Sequence, residues 1–405
     1  MRLPAAAPLL AAALLLAALT AASPADGGAD AKPLLVYVLV GQSNMEGHAT
    51  LEVLDYLGED PATAPLLEAM RDKRGKPAEI EDVWISYLTG ERGRIDAGND
   101  VIEGPLTLGY GSRGGVGPNE AGRKIGPEMG FGITLHEALD RDILIIKCAW
   151  GGQSLHTDFR PPSAGPSPED PEGAKTGVRY RQMMEHVDAV LADPGRVVKG
   201  YSKRRGYELG GVVWFQGWND LVNRNVYPEV PDDSPTPRFA AYTEVMAHFI
   251  RDVRTHLQAP ELPFVIGVIG VDGEQPNKHI AALRTSQAAV AALEEFQGNV
   301  VAVPTAPYWD AALAALDAKR QQLRQKRYHL DKQHEGHENA DGSLSQTDKD
   351  RIVRALEAEL FSEEDLDLER RAKSNAGYHY LGSAKTYTLI GKAFAAALLG
   401  MRVER

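Results

Sequence analysis

The sequence predicts an α/β fold: a three-layer α/β/α sandwich whose central parallel sheet has about five strands. Two observations support this prediction. Five short apolar runs alternate along the chain with five longer segments of helical pattern, and such alternation calls for parallel strands joined by crossover helices. The first run, residues 34–40, has seven apolar residues without a break, which is typical of a strand buried on both faces of a sheet.

The other predicted elements follow from the same kind of pattern. Helices are indicated where apolar residues recur every three or four positions, as at Tyr242, Val245, Met246 and Phe249. The predicted strands are residues 34–40, 142–150, 211–215, 263–270 and 298–303. The predicted helices are residues 127–140, 180–191, 239–257, 278–297 and 383–399.

Two regions interrupt this alternation. Residues 51–126 are rich in glycine, proline and charge and have no clear periodicity, and long segments of this kind are usually functional. Residues 310–371 are highly charged and predict two helices around a polar loop, the second beginning near Ser345 with Asp348 as its capping partner. We interpret residues 310–371 as a helical hairpin inserted into a single domain of residues 33–402.

The amino terminus has the pattern of a secretory signal peptide. Arg2 is followed by a leucine- and alanine-rich core at residues 9–18 and by small residues up to Ala25. We therefore predict a signal peptide at residues 1–25, a linker at residues 26–32, and a secreted or periplasmic protein. A membrane anchor is the alternative, but the apolar core is short for one. After cleavage, no other stretch approaches the roughly 18 apolar residues of a membrane span.

Composition narrows the classes of partner. The chain has 405 residues and a net charge of −12, whereas a nucleic-acid-binding surface needs clustered basic residues. Cys148 is the only cysteine, so no intrachain disulfide can form. We interpret it as a small buried apolar residue. Composition does not specify the oligomeric state.

Polar residues suited to catalysis follow three of the predicted strands. Ser43 comes after the first strand, Gly151 and Gly152 after the second, and residues 216–220 after the third, while His379 precedes the last helix. Because parallel strands end at one edge of a sheet, these residues can converge there. A serine, an imidazole and several amide donors are what acyl transfer requires. Ordinary helix capping by Ser43 is the alternative.

Four sequence blocks, in this order, resemble those of the SGNH (GDSL-like) hydrolases, and more narrowly the sialate O-acetylesterases and carbohydrate esterase family 6. They read GQSNM at residues 41–45, KCAWGG at 147–152, WFQGWND at 214–220 and YHYLG at 378–382. The resemblance implies a flavodoxin-like fold with Ser43 as nucleophile and His379 as general base. It also implies an oxyanion hole that includes Gly152 and Asn219. We further assign a substrate-binding role to Gln42, Gln216 and Trp218, with hydrogen bonding to backbone groups as the alternative for Gln216.

The chain departs from the family pattern at two positions. SGNH enzymes usually have an aspartate three residues before the histidine, where this chain has Ala376, and many relatives have an acidic residue where it has Trp218. The group that orients His379 is therefore open between Asp220 and a backbone carbonyl near Ala376. Asp220 is taken tentatively as the orienting acid, with helix capping as its alternative role.

The resemblance implies a secreted serine esterase that removes O-acetyl groups from carbohydrate, without cofactor or metal. His334 and His337 are three residues apart and do not have the spacing of a zinc protease motif. A non-catalytic carbohydrate-binding relative and a lipid or thioester hydrolase on the same scaffold are the alternatives. Which acetylated sugar is bound stays open.

Overall fold

The computed structural model describes residues 32–90, 100–113, 122–231 and 233–403. The predicted signal peptide and most of the predicted linker lie outside these ranges. The described strands are β1 (Leu34–Gly41), β2 (Ala49–Thr50), β3 (Val83–Thr89), β4 (Asp100–Pro105), β5 (Lys124–Ile125), β6 (Ile143–Ala149), β7 (Tyr207–Phe215), β8 (Phe264–Val268) and β9 (Val300–Pro304).

The α-helices are connected to these strands in the alternating order that the sequence predicts. They are α1 (Ser43–Glu46), α2 (Ala64–Ala69), α3 (Pro127–Ala138), α4 (Val178–Ala192), α5 (Trp218–Val222), α6 (Ala240–His256), α7 (Lys278–Ala289), α8 (Ala311–Asp331), α9 (Gln346–Leu360), α10 (Glu363–Ala372) and α11 (Ala384–Val403).

The main sheet has seven strands in the order β4-β3-β6-β1-β7-β8-β9. All neighbouring pairs are parallel except β3 and β4. The predicted fold class is confirmed, although the sheet has more strands than the expected five because β3 and β4 lie in the region predicted to be irregular. Strand β3 contains the polar residue Ser86, which is buried. Its hydroxyl forms hydrogen bonds with Glu103 and His186. Strand β4 is largely exposed, so neither strand has a fully apolar pattern.

Helices cover both faces of the sheet. Because side chains alternate along a strand, the neighbours Trp214 and Phe215 on β7 point to opposite faces. Trp214 packs against Phe249 of α6 with ring centroids 4.7 Å apart, and Phe215 packs against Phe394 of α11 at 5.3 Å. The three layers place the carboxyl ends of β1, β6 and β7 side by side at one edge.

The charged insertion has three helices, α8, α9 and α10, rather than the two that the sequence pattern predicts. Helix α10 has few apolar residues and is instead marked by a capping box between Ser362 and Asp365. The insertion has a small apolar cluster of its own, which includes Leu313, Phe361 and also Leu381 from the segment before α11. The insertion therefore packs against the segment that carries His379.

Within the described ranges, no helix combines the length and the apolar character that crossing a membrane requires.

Candidate active site

Ser43 begins α1 immediately after β1 ends, at the carboxyl edge of the sheet. Gly41 makes the turn possible because a Cβ atom at this position would lie 2.1 Å from the carbonyl oxygen of Phe215. The side chain of Ser43 is close to the surface, with 7% of the residue exposed. This is the position at which open α/β sheets bind their ligands.

The side chain of Gln42 joins the end of β1 to the end of β7. Its Oε1 accepts hydrogen bonds from Gln216 Nε2 at 3.0 Å, from the backbone N–H of Gly217 at 3.3 Å and from that of Asn219 at 3.2 Å. Its Nε2 donates to Asn219 Oδ1 at 3.1 Å. Gln42 therefore fixes both the backbone and the side chain of Asn219 beside Ser43.

The orientation of the Asn219 amide follows from its two partners. Its Oδ1 faces Gln42, and its Nδ2 donates to the carbonyl oxygen of Gly152 at 2.8 Å. Gly152 has φ of +74°, a left-handed conformation that favours glycine. An amide nitrogen carries two hydrogens, so a second one is available to an oxyanion beside Ser43. The predicted members of the oxyanion hole are thus brought together.

The predicted substrate contacts of Gln42 and Gln216 need correction. Both residues are buried, and their amides are engaged with the protein. Gln216 donates through Nε2 to Gln42, to the carbonyl oxygen of Gln153 and to Asp220, and its Oε1 accepts from the Tyr242 hydroxyl. The two glutamines hold the strand ends in place and do not offer free groups to a substrate.

His379 lies in a tight segment between α10 and α11. Tyr380 and Leu381 have φ of +50° and +59°, and Gly382 has φ of +63°, so three consecutive residues are left-handed. This costs energy for residues other than glycine. The segment is closed by Ser374, whose hydroxyl donates to the carbonyl oxygen of Gly382 at 2.7 Å. Tertiary contacts therefore hold His379 in a conformation that local propensity disfavours.

The imidazole of His379 is oriented by Asn375, four residues before it. Asn375 Oδ1 accepts from the backbone N–H of Ala376 at 2.8 Å and lies 3.0 Å from His379 Nδ1. Because an amide oxygen only accepts, Nδ1 carries the proton, and Nε2 is the acceptor nitrogen of the neutral ring. Asn375 was missed from the sequence because only Asp220 and the backbone near Ala376, the position at which the family usually has an aspartate, were considered.

The serine segment and the histidine segment are joined directly. Asn44, which follows Ser43, donates from Nδ2 to the carbonyl oxygen of Tyr378, which precedes His379, at 3.1 Å. The hydroxyl of Tyr387 on α11 lies 2.9 Å from Asn44 Oδ1 and 3.2 Å from the His379 carbonyl oxygen. His379, like Ser43, is 7% exposed. The two predicted catalytic residues therefore lie in adjoining segments at the same edge of the sheet.

The assignment of Asp220 as the acid that orients His379 is wrong. Its carboxylate accepts from the backbone N–H groups of Leu155 and His156, from Gln216 Nε2 and from the Tyr227 hydroxyl, and it contacts His156 Nδ1 at 3.0 Å. Asp220 is fully buried. Its carboxylate faces Leu155 and His156, which lie in the segment that follows Gly152. Asp220 therefore stabilises the segments that follow β6 and β7 and does not orient His379.

His156 lies between two carboxylates. Its Nδ1 contacts Asp220 at 3.0 Å and its Nε2 contacts Glu169 at 2.8 Å. Burial by itself lowers the pKa of His156, but the hydrogen bonds and charges of Asp220 and Glu169 outweigh burial and raise this pKa above its ordinary value. Since both ring nitrogens are occupied, His156 has a structural role. No feature of the sequence pointed to it.

Aromatic side chains form the surroundings of His379. His48 stacks on it with ring centroids 3.9 Å apart and an interplanar angle of 6°. Tyr378 lies at 4.4 Å on another side, and the ring of Trp218 lies 5.7 Å from that of Tyr378. Trp218 is partly exposed, and its contact with substrate stays a prediction. The stacked His48 fixes the plane of the His379 ring and was not predicted.

A buried ion pair stabilises the segment that carries Ser43. Lys147 on β6 and Glu128 on α3 are fully buried, with Nζ 2.7 Å from Oε2. Lys147 also donates to the carbonyl oxygens of Glu46, at the end of α1, and of Tyr110, both at 2.8 Å. Burial lowers the pKa of Lys147, and Glu128 opposes this effect. The ammonium group thus fixes the end of the short helix that carries Ser43.

Together, the fold and the site define a class of protein: α/β/α sandwiches with a serine at the carboxyl end of the first strand. The comparison with known families specifies the class further. The model of the family described as carbohydrate esterase, sialic acid-specific acetylesterase, matches residues 103–335, which is more than half of the chain. The protein therefore belongs to this family of carbohydrate esterases, and the predicted resemblance is confirmed. The matched region contains Gly152 and Asn219, whereas Ser43 and His379 lie outside it.

Several solved structures are similar to this chain at low sequence identity. NanS is 13% identical, with a TM-score of 0.45, over 93% of this chain and 99% of its own. A carbohydrate acetylesterase from Xanthomonas citri is 18% identical, with a TM-score of 0.38, over 66% of this chain and 49% of its own. An Arabidopsis thaliana protein is 18% identical, with a TM-score of 0.38, over 67% of this chain and 86% of its own. No curated protein sequence matches the chain.

Proposed function

We propose that this protein is a secreted serine esterase that removes O-acetyl groups from carbohydrate, with Ser43 as nucleophile and His379 as general base. The observation that supports this most strongly is the arrangement of Asn219. Its amide is fixed by Gln42 and by the carbonyl oxygen of Gly152, next to a serine whose neighbour Asn44 is bonded to the histidine segment. Membership of a carbohydrate esterase family supplies the class of substrate.

In the first half of the reaction, Ser43 Oγ attacks the acetyl carbonyl carbon and its proton passes to Nε2 of His379. The carbonyl oxygen becomes an oxyanion that accepts from the N–H groups of Ser43 and Gly152 and from Nδ2 of Asn219. Asn375 accepts from Nδ1 throughout and keeps the ring in one tautomer. The intermediate collapses when the bond to the sugar oxygen breaks and that oxygen takes the proton from His379.

In the second half, water attacks the acetyl group on Ser43 and gives a proton to His379. The new tetrahedral intermediate uses the same donors, and its collapse returns the proton to Ser43 Oγ and releases acetate. Because Asn375 is an amide and not a carboxylate, it gives the imidazolium formed in each half a hydrogen-bond acceptor but no negative charge of its own. We therefore expect a slower enzyme than one with an aspartate at this position.

The proposed export of the protein depends on residues 1–25, whose charged start, apolar core and small residues are typical of a signal peptide. Expression of the full chain in a bacterial host, followed by amino-terminal sequencing of the periplasmic or secreted product, tests this separately. We expect a mature terminus near Ala22 or Ala25. Retention of Met1 in the cytoplasmic fraction would contradict export without affecting the proposed chemistry.

Hydrolysis of p-nitrophenyl acetate and release of acetate from acetylated sugars test the activity. We expect the wild-type protein to act on both, and Ser43→Ala to lose activity by a factor of at least about 10³. Ser343→Ala, at an exposed serine in the insertion, is the matched control and should retain wild-type rates. Equal rates in the wild type and in Ser43→Ala, or a preference for long-chain over acetyl esters, would overturn the proposal.

A further inference from the structure

A groove lies beside the oxyanion segment, at the same edge of the sheet as Ser43. Helices α5 and α7 follow the carboxyl ends of β7 and β8 and form two of its sides. The volume of the groove is about 290 Å³, close to the lower end of the roughly 300–1,000 Å³ of small-molecule sites. Its lining includes Trp218, Val222, Arg224, Arg238 and His279.

The groove shares a wall with the proposed acetyl site. Trp218 lines the groove and directly precedes Asn219, which the proposed mechanism places in the oxyanion hole. The Trp218 ring lies 5.7 Å from that of Tyr378, which directly precedes His379. A ligand in the groove would therefore extend from the alcohol part of an ester held between Ser43 and His379.

Hydrogen bonds from Arg238 fix one wall of the groove. Arg238 donates from Nε to the carbonyl oxygen of Tyr227 at 2.9 Å, and from Nη1 to Glu229 at 2.9 Å and to His279 Nδ1 at 2.8 Å. Because Nδ1 of His279 accepts from an arginine, the proton of its neutral ring lies on Nε2, which is a donor. The polar wall is thus held rigid before a ligand arrives.

The other side of the groove offers groups to a ligand. The guanidinium of Arg224 is exposed and makes no hydrogen bond or ion pair within the described ranges. Val222 is a large apolar residue that is 55% exposed. Aromatic and aliphatic faces beside planar hydrogen-bonding groups match a pyranose ring, which has apolar C–H faces and an equatorial belt of hydroxyl groups.

We propose that this groove binds the glycosyl residue next to the acetylated one, so that the preferred substrate is an acetylated oligosaccharide and not a free acetylated monosaccharide. This inference rests on the proposed function, because it places the ligand by reference to the ester at Ser43. The size of the groove suits one ring. Trp218 would contact the face of this ring, and Arg224 and His279 would donate to its hydroxyl oxygens.

The test compares kcat/KM for an acetylated trisaccharide, the corresponding acetylated monosaccharide and p-nitrophenyl acetate. We expect the wild-type protein to prefer the trisaccharide over the monosaccharide by about tenfold or more, the effect of a few hydrogen bonds and one stacked ring. Val222→Trp, which fills the groove from an exposed position, should reduce this preference to about twofold or less. Arg224→Ala should reduce it to an intermediate value.

Two controls match these variants. Ala189→Trp adds the same side chain at an exposed position on α4, and Arg351→Ala removes an exposed arginine on α9, so both should keep the wild-type preference. The inference is overturned if the wild type shows no preference for the trisaccharide, or if Val222→Trp retains it. Failure of the wild type to hydrolyse any acetyl ester would instead overturn the proposed function, and the two outcomes are therefore distinguishable.

Discussion

The two halves of the candidate active site are built in different ways. The serine half, with Ser43, Gly152 and Asn219, lies on the ends of three adjacent parallel strands and is joined by buried hydrogen bonds from Gln42. The histidine half lies on a segment with three consecutive left-handed residues, and the charged insertion packs against it through Leu381. The sheet itself therefore positions Ser43, whereas the charged insertion helps to position His379.

This difference identifies a role for the insertion that its sequence did not reveal. Lys373, at the end of α10, donates to Asp317 of α8 at 2.7 Å and to Glu369 at 3.2 Å. Ser374 and Asn375 follow immediately and close the histidine segment. Partly buried ion pairs and one small apolar cluster thus hold the segment that carries His379, while the main core holds the segment that carries Ser43.

The largest effect is expected from the serine half. Asn219→Ala removes an oxyanion donor whose orientation is fixed on both sides, so kcat should fall by about 10²–10³, or about 3–4 kcal/mol of barrier. The thermal unfolding temperature should change much less. Measurement of kcat with p-nitrophenyl acetate checks this, and a decrease in kcat of less than about threefold would show that Asn219 does not contact the oxyanion.

The next effect tests whether the insertion supports the base. Leu381→Ala leaves a cavity between the segment of His379 and the insertion, and should cost about 2–3 kcal/mol of unfolding free energy in urea together with a lower kcat. Leu366→Ala, at an exposed leucine on α10, is the control and should change neither. If Leu381→Ala lost stability but kept wild-type kcat, the packing of the insertion against the His379 segment would not contribute to activity.

A smaller effect is expected at Asn375. Asn375→Ala removes one neutral hydrogen bond to His379 Nδ1 and should lower kcat/KM about tenfold, or about 1–1.5 kcal/mol. Asn375→Asp restores a carboxylate that stabilises the imidazolium, so the acid limb of the pH–rate profile should move to higher pH. An unchanged profile in Asn375→Asp would show that residue 375 does not orient the base.

The smallest effect concerns the stability that His156 gives to the serine half. Its folded-state pKa is raised, so its contribution is fully present below the unfolded pKa, about 6.5, and is lost as pH rises through the folded pKa. The difference in unfolding temperature between the wild type and His156→Gln should therefore shrink from about pH 6 to about pH 8. A difference that grows over this interval would contradict a protonated His156.

The serine half could be predicted from sequence because its signals are local. An unbroken apolar strand, a glycine at its end and polar residues at the ends of two further strands are visible at Leu34–Gly41, Gly152 and Asn219. The conclusion that these residues meet needs only the rule that parallel strands share an edge. The same logic did not show that Gln42 and Gln216 are buried. A glutamine that binds substrate and a glutamine that links two strand ends cannot be distinguished by residue type.

The histidine half could be predicted only in part. His379 was found because residues 378–382 resemble a known block, but its partner Asn375 lies four residues before it and not at the three-residue spacing that is usual in the family. The stacking of His48 depends on a meeting of residues more than three hundred positions apart. Asp220 was misassigned because its neighbour in space, His156, belongs to a segment without a distinctive pattern.

The meeting of the two halves is tested most directly with a fluorophosphonate probe, which reacts covalently with a serine only when a base activates it. We predict that mass spectrometry will locate the probe on Ser43 in the wild-type protein, and that His379→Ala will slow this labelling by a factor of at least about 10². Labelling of another serine, or equal labelling rates in the wild type and His379→Ala, would contradict the assignment of Ser43 and His379 as one catalytic pair.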